Sequence, residues 1–125
     1  MYVIMKRLLL LWVIIVSSCS EKEKVDNYLE ASTDLISIDY KGFWKNSDKK
    51  ASFELGANIH WKVTSVDEWI TLSHMEGDRG RTTIFIDAKE NLTGEDREGL
   101  IIIEGNGLFQ YIDVYQTLKK EEISI

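Results

Sequence analysis

The chain reads as an all-β protein, an antiparallel β-sandwich of about seven strands preceded by a signal peptide. Three observations carry that reading. After residue 25 no stretch of useful length keeps apolar residues at helical spacing. Short alternating apolar and polar runs recur instead, separated by polar or glycine-bearing turns. The segment Ile59–Leu72 also holds two of the four tryptophans, Trp61 and Trp69, and an indole that buries roughly 200 Å² can seed a small core.

The leader comes first. Lys6 and Arg7 precede an unbroken apolar run from Leu8 to Val16, and Val16-Ser17-Ser18 then leads into the only cysteine, Cys19. The run falls well short of the ~20 apolar residues a membrane-spanning helix needs, and it suits the core of a signal peptide. Val16-Ser17-Ser18-Cys19 resembles a bacterial lipobox, which implies cleavage after Ser18 and acylation of Cys19. Acyl chains anchor by burying methylenes, each contributing ~0.8 kcal/mol. The expected division is a leader over 1–18, a lipidated cysteine and charged tether over 19–27, the folded domain over 28–118 and a charged tail over 119–125. Acidic residues after Cys19, in Ser20-Glu21-Lys22-Glu23-Lys24, resemble the surface-export signals of Bacteroidota lipoproteins, although the lysines depart from the purely acidic form. The expected address is the bacterial envelope, at the outer membrane, held there through Cys19. A lone thiol also leaves the domain without an intrachain disulfide.

The strands follow in order. Leu29 and Ala31 begin the first, and Ile36, Ile38 and Tyr40 share one face of the next. Ala51, Phe53 and Leu55 alternate with polar neighbours, and Gly56-Ala57-Asn58 is read as the turn after them. In the next run Ile59, Trp61 and Val63 point inward while His60, Lys62 and Thr64 point out. Trp69–Ser73 is a further short strand, Glu76–Gly80 a polar loop, and Thr82–Ala88 a strand that buries Ile84, Ile86 and Ala88. Glu90–Gly99 is a polar connection.

Asn106-Gly107 is a strong type I′ hairpin signal, since both central positions need positive φ. A two-residue loop there pairs Ile101 with Ile112, Ile103 with Gln110, Ile102 with Tyr111 and Glu104 with Phe109. A slip of one residue would exchange the two faces. Ile101, Ile103, Ile112 and Val114 join Trp61 and Trp69 as the expected core. The outer face then carries Leu100, Ile102, Phe109, Tyr111 and Tyr115, an unusually apolar set for a solvated face, and it is a candidate surface for a separately encoded protein partner or a glycan.

These elements, taken with their residues, resemble the BACON domain, an Ig-like β-sandwich often found beside glycan-active enzymes. The likeness rests on Ile36-Ser37-Ile38-Asp39, on Asn58-Ile59-His60-Trp61-Lys62-Val63-Thr64 and on Asp67-Glu68-Trp69-Ile70-Thr71-Leu72-Ser73. It continues through Gly77, Arg97-Glu98-Gly99-Leu100-Ile101-Ile102-Ile103 and the closing Ile112-Asp113-Val114-Tyr115-Gln116. The resemblance implies a non-catalytic, carbohydrate-binding module. The family's compact Gly-Gly turn is replaced here by Lys41-Gly42-Phe43-Trp44-Lys45-Asn46-Ser47-Asp48. That loop makes Phe43, Trp44, Asn46 and Asp48 candidate ligand-binding residues: aromatic faces pack on sugar C–H groups while amides and charges reach the hydroxyls. The competing reading folds the rings back as a lid on the sandwich.

Composition bounds the rest. Lys and Arg number 15 against 21 Asp and Glu, for a net charge of −6, and such a surface repels phosphate backbones, so nucleic acid is excluded as a partner. His60 and His74 are the only histidines, and no metal-ligand spacing joins them. Glu76, Asp78, Asp87 and Glu90 are the carboxylates that loops could bring together for glycoside hydrolysis, a remote reading for one small sandwich. The expectation is therefore no catalytic residue, no metal and no cofactor.

Overall fold

The structure is a computed structural model that describes residues 26–120. The expected leader, Cys19, the tether up to residue 25 and the tail from residue 121 lie outside the described residues.

Nine strands follow one another: β1 (Leu29–Ala31), β2 (Leu35–Ile38), β3 (Ser52–Ala57), β4 (Trp61–Ser65), β5 (Ile70–Leu72), β6 (Glu76–Gly77), β7 (Gly80–Ala88), β8 (Arg97–Gly105) and β9 (Leu108–Gln116). They form a four-stranded sheet in the order β1-β3-β7-β5 and a five-stranded sheet in the order β2-β9-β8-β4-β6. Every neighbouring pair is antiparallel except β2 and β9, which run parallel with Leu35 beside Asp113 and Ile38 beside Gln116. The all-β sandwich is thus the fold, with more strands than expected and one parallel pair at the edge of the larger sheet.

Alternation explains the layers. Side chains on successive strand residues point to opposite faces, so Phe53, Leu55 and Ala57 of β3 and Ile84, Ile86 and Ala88 of β7 face inward from the smaller sheet. Ile36, Ile38, Trp61, Val63, Ile101, Ile103, Ile112 and Val114 meet them from the larger sheet. Trp61 is 1% exposed, and its indole N–H donates to the Asp78 carbonyl at 3.1 Å. Room for that ring comes from Gly77, its partner across the β4–β6 ladder: a Cβ there would run into the indole.

Three local expectations need correction. Trp69 is not sealed in the core. It precedes β5 at the rim, half-buried, with the Arg97 guanidinium 4.3 Å from its ring centroid; the cation stacks on the face that a second layer would otherwise have covered. Gly56 and Ala57 are strand residues paired with Arg81 and Gly80, so the chain reverses at Asn58–His60 instead. Glu76–Gly80 is not a plain loop, because Glu76 and Gly77 pair with Lys62 and Trp61 to form β6.

A buried glutamine closes one end of the sandwich. Gln116 is fully buried, and its Nε2 lies 3.0 to 3.2 Å from the carbonyl oxygens of Lys89, Asp39 and Tyr40. Its Oε1 accepts from Arg97 Nε at 2.8 Å. One side chain thereby ties two connections, β2–β3 and β7–β8, and the start of β8 to the end of β9. Asn91, also fully buried, serves the same end through Nδ2 bonds to the Glu95 and Thr117 carbonyls.

Candidate functional site

The outer face of β8 and β9 is built by the hairpin. Asn106 and Gly107 adopt φ of 49° and 84°, the left-handed pair that a type I′ turn requires. The resulting register places Ile101 opposite Ile112, Ile103 opposite Gln110, Ile102 opposite Tyr111 and Glu104 opposite Phe109. With Ile101, Ile103, Ile112 and Val114 fully buried, Phe109, Tyr111 and Tyr115 stand on the other side, 50%, 54% and 41% exposed. The Phe109 and Tyr111 rings are 6.3 Å apart between centroids and parallel to within 7°. Leu100 and Ile102 are half-buried beneath this row, and Leu35 of β2, beside Asp113, extends it. Glu104, Glu98 and Asp113 interrupt the aromatics with negative charge. Gln110 points the other way, where its Oε1 accepts from Ala31 N at 3.3 Å and so links the two sheets.

The Asp39–Lys50 loop is arranged differently from its expectation. Asp39 Oδ1 accepts from the Lys41 and Phe43 backbone N–H groups at 2.9 and 3.0 Å, a common way for an aspartate to shape a turn. The chain then folds back, so that Trp44 bridges to Ile38 and Phe43 to Lys50. Trp44 is half-buried and packed against the core, which is the lid arrangement. The four candidates therefore do not make one set. Asn46, at φ 61°, lines an open groove of about 650 Å³, whereas Phe43, Trp44 and Asp48 are not part of its lining. The groove is formed by Asp39, Tyr40, Lys45, Asn46, Ser47, Thr117, Leu118 and Lys120. Tyr40, expected inward with Ile36 and Ile38, lies beyond the end of β2 in a turn, half-buried and among the residues that line this groove. Its position could have been suspected from Lys41 and Gly42, which end the alternation.

The titratable groups gather elsewhere. His60 is exposed just before β4, with Nδ1 2.8 Å from Asp78 Oδ1 and Nε2 3.0 Å from Glu76 Oε1. The hydrogen bond to Asp78 chiefly raises its pKa above 6.5; loss of hydration opposes it, and the bond to Glu76 adds a smaller rise. Of the four carboxylates weighed for hydrolysis, Glu76 and Asp78 meet at His60, while Asp87 pairs with Lys50 at 3.5 Å on β7. Among the described residues no cluster of three or more His, Cys, Asp or Glu is arranged to hold a metal.

Residues 60–117 match the BACON family model, described as "Putative binding domain, N-terminal". No curated protein matches the sequence. Among solved structures, the chain is similar to part of a Bacteroides ovatus GH5 xyloglucanase in complex with a XXXG heptasaccharide, at 20% identity and a TM-score of 0.64 over 74% of this chain and 19% of that one. It is also similar to the E. coli chaperone DraB, at 7% identity and a TM-score of 0.55 over 74% of this chain and 56% of that one. Domains 4 and 5 of the S-layer protein SbsC match at 16% identity and a TM-score of 0.54, over 75% and 55%. The chain spans only about a fifth of the xyloglucanase. At these identities the likenesses establish the β-sandwich.

Proposed function

Since residues 60–117 of this chain match the BACON family of binding domains, we propose that the protein is a non-catalytic binding module whose ligand is carbohydrate, held on the outer face of β8 and β9. The observation that supports this most is the pair of parallel, half-exposed rings of Phe109 and Tyr111. A stacked pair at the solvent boundary offers aromatic surface on which sugar C–H groups can pack. The strands hold both rings, so little ordering is needed on binding. That a domain of this fold occurs within a xyloglucanase in complex with a heptasaccharide makes glycan the first ligand class to try. The proposal extends to attachment at the envelope through acylated Cys19, supported by the leader's basic residues, apolar run and cysteine spacing. Cys19→Ser is expected to abolish membrane fractionation.

The direct test is a glycan array with the parent and with Tyr111→Ala. Tyr111 is half-exposed, so its loss leaves the melting temperature nearly unchanged while lowering glycan affinity by about tenfold or more, equivalent to ~1.4 kcal/mol. Equal binding by parent and variant would remove this face from consideration.

A second reading has its own support. Leu35 is 52% exposed and joins Ile102, Leu100 and the aromatics in one apolar surface, of the kind that protein partners cover. Under that reading the module is a structural or assembly component docking a separately encoded partner. Silence across the glycan array, with a partner lost on Tyr111→Ala and Leu35→Ser, would select it.

A further inference from the structure

We propose that the groove between the Asp39–Ser47 loop and the segment after β9 is a second, separate site, and that it takes an acidic sugar, one bearing a carboxylate or sulfate. This inference does not depend on the aromatic face.

Charge is the first argument. The chain carries a net −6, yet two lysines line this one concavity and two more stand over the ring of Tyr40, one of its lining residues. Lys45 and Lys120 line it. The Lys41 and Lys119 Nζ atoms each stand 5.8 Å from the ring centroid of Tyr40, itself a lining residue. Among the described residues none of the four lysines is ion-paired; the pairs involve Lys50, His60 and Arg81 instead. Gathered like charges repel one another, and a concave surface focuses their field on whatever anion enters. Tyr40 attracts two of the ammonium groups through its π face, so their charge stays at the groove.

Shape and rigidity are the second. The volume of about 650 Å³ lies in the range of small-ligand sites. Asn46, Ser47 and Thr117 line it with an amide and two hydroxyls, groups that suit sugar hydroxyls better than a bare inorganic ion. Gln116 holds the Asp39 and Tyr40 carbonyls from below, and the Thr117 N–H donates to the Ile38 carbonyl at 3.2 Å, so both walls are fixed to β-structure. Asp39, the one acidic residue of the lining, directs Oδ1 to two backbone N–H groups of its own loop. A membrane surface would instead favour a broad apolar face with basic flanks, and this groove is concave with Leu118 as its one aliphatic contributor.

The test is titration calorimetry of the purified protein with trigalacturonate, a sulfated disaccharide, a neutral trisaccharide, sodium sulfate and vesicles containing phosphatidylserine. The acidic sugars are expected to bind and to weaken as salt rises, because screening shortens the reach of the lysines. The pair Lys45→Ala and Lys120→Ala is expected to lower their affinity about tenfold or more, Lys45→Arg with Lys120→Arg to retain most of it, and Tyr111→Ala to leave it unchanged. All these lysines are exposed, and an unaltered melting temperature would show that the variants fold. The proposal is overturned if the neutral trisaccharide binds as well and is equally weakened by the alanine pair. It is also overturned if sulfate alone binds as tightly as the sugars, if only vesicles bind, or if the alanine pair changes nothing. Loss of acidic-sugar binding with Tyr111→Ala alone would move the site to the aromatic face.

Discussion

Gly77 lies opposite Trp61 in the β4–β6 ladder, and the space where its side chain would be is filled by the indole. Gly77→Ala should therefore destabilise the fold by about 1–3 kcal/mol, the usual cost of overfilling a packed interior. Urea denaturation followed by tryptophan fluorescence checks this. A midpoint equal to the parent's would mean the ring relaxes freely, contrary to its near-complete burial.

Trp44 holds the Asp39–Lys50 loop to the sandwich through its packing on the core and its bridge to Ile38. Trp44→Ala should cost about 2 kcal/mol, less than the ~3–5 kcal/mol of a fully buried tryptophan because part of the ring is already in water. The melting temperature reads this directly. A variant with parental stability would return Trp44 to the list of ligand contacts.

Gln116 satisfies three carbonyls and Arg97 at a buried position. Gln116→Leu nearly keeps the volume and removes the amide: the Asp39, Tyr40 and Lys89 carbonyls each lose one of two donors, keeping Gly42 N–H, Asn91 N–H and Arg97, while Arg97 Nε loses its acceptor, at a cost of about 1–2 kcal/mol. Hydrogen exchange should also quicken at the Asn91 N–H, which donates to the Tyr40 carbonyl at 2.7 Å. Unchanged exchange there would show that the loop needs no clamp.

His60 supplies a pH dependence. Its pKa is raised in the folded protein by Asp78 and Glu76, so folding favours the protonated ring. That contribution is fully present below the unfolded value of 6.5 and is lost as pH rises through the higher folded value. The ring and both carboxylates are exposed, so the effect is small and weakens with salt. Melting temperatures measured on either side of neutrality should fall more for the parent than for His60→Gln. Parallel curves would show that the contacts do not persist in solution.

What could be read from the sequence was local. The β8–β9 register followed from Asn106-Gly107 and the isoleucines on one side of it, because turn chemistry and alternation act over a few residues. The inward faces of β3, β4 and β7 were legible for the same reason. The groove was not. Tyr40 meets Lys119 and Leu118 only because β2 runs beside β9, and no pattern near Tyr40 encodes a pairing with the far end of the chain. The two-residue β6 was missed because so short a strand has no period. Its glycine is meaningful only once Trp61 is known to lie across from it. The size of Trp69 argues for deeper burial than it has, while Arg97, which covers its open face, is separated from it by β5, β6 and β7.

The parallel pairing of β2 with β9 has a mechanical consequence. The chain enters β2 from one end of the sandwich and leaves β9 at the other, so a tug that parts residues 26 and 120 drags the two strands past each other along their length. The bonds joining Leu35–Ile38 to Asp113–Gln116 then bear the load together, in shear, and cannot open one at a time. A domain tethered by its front end and gripped elsewhere would yield late and all at once.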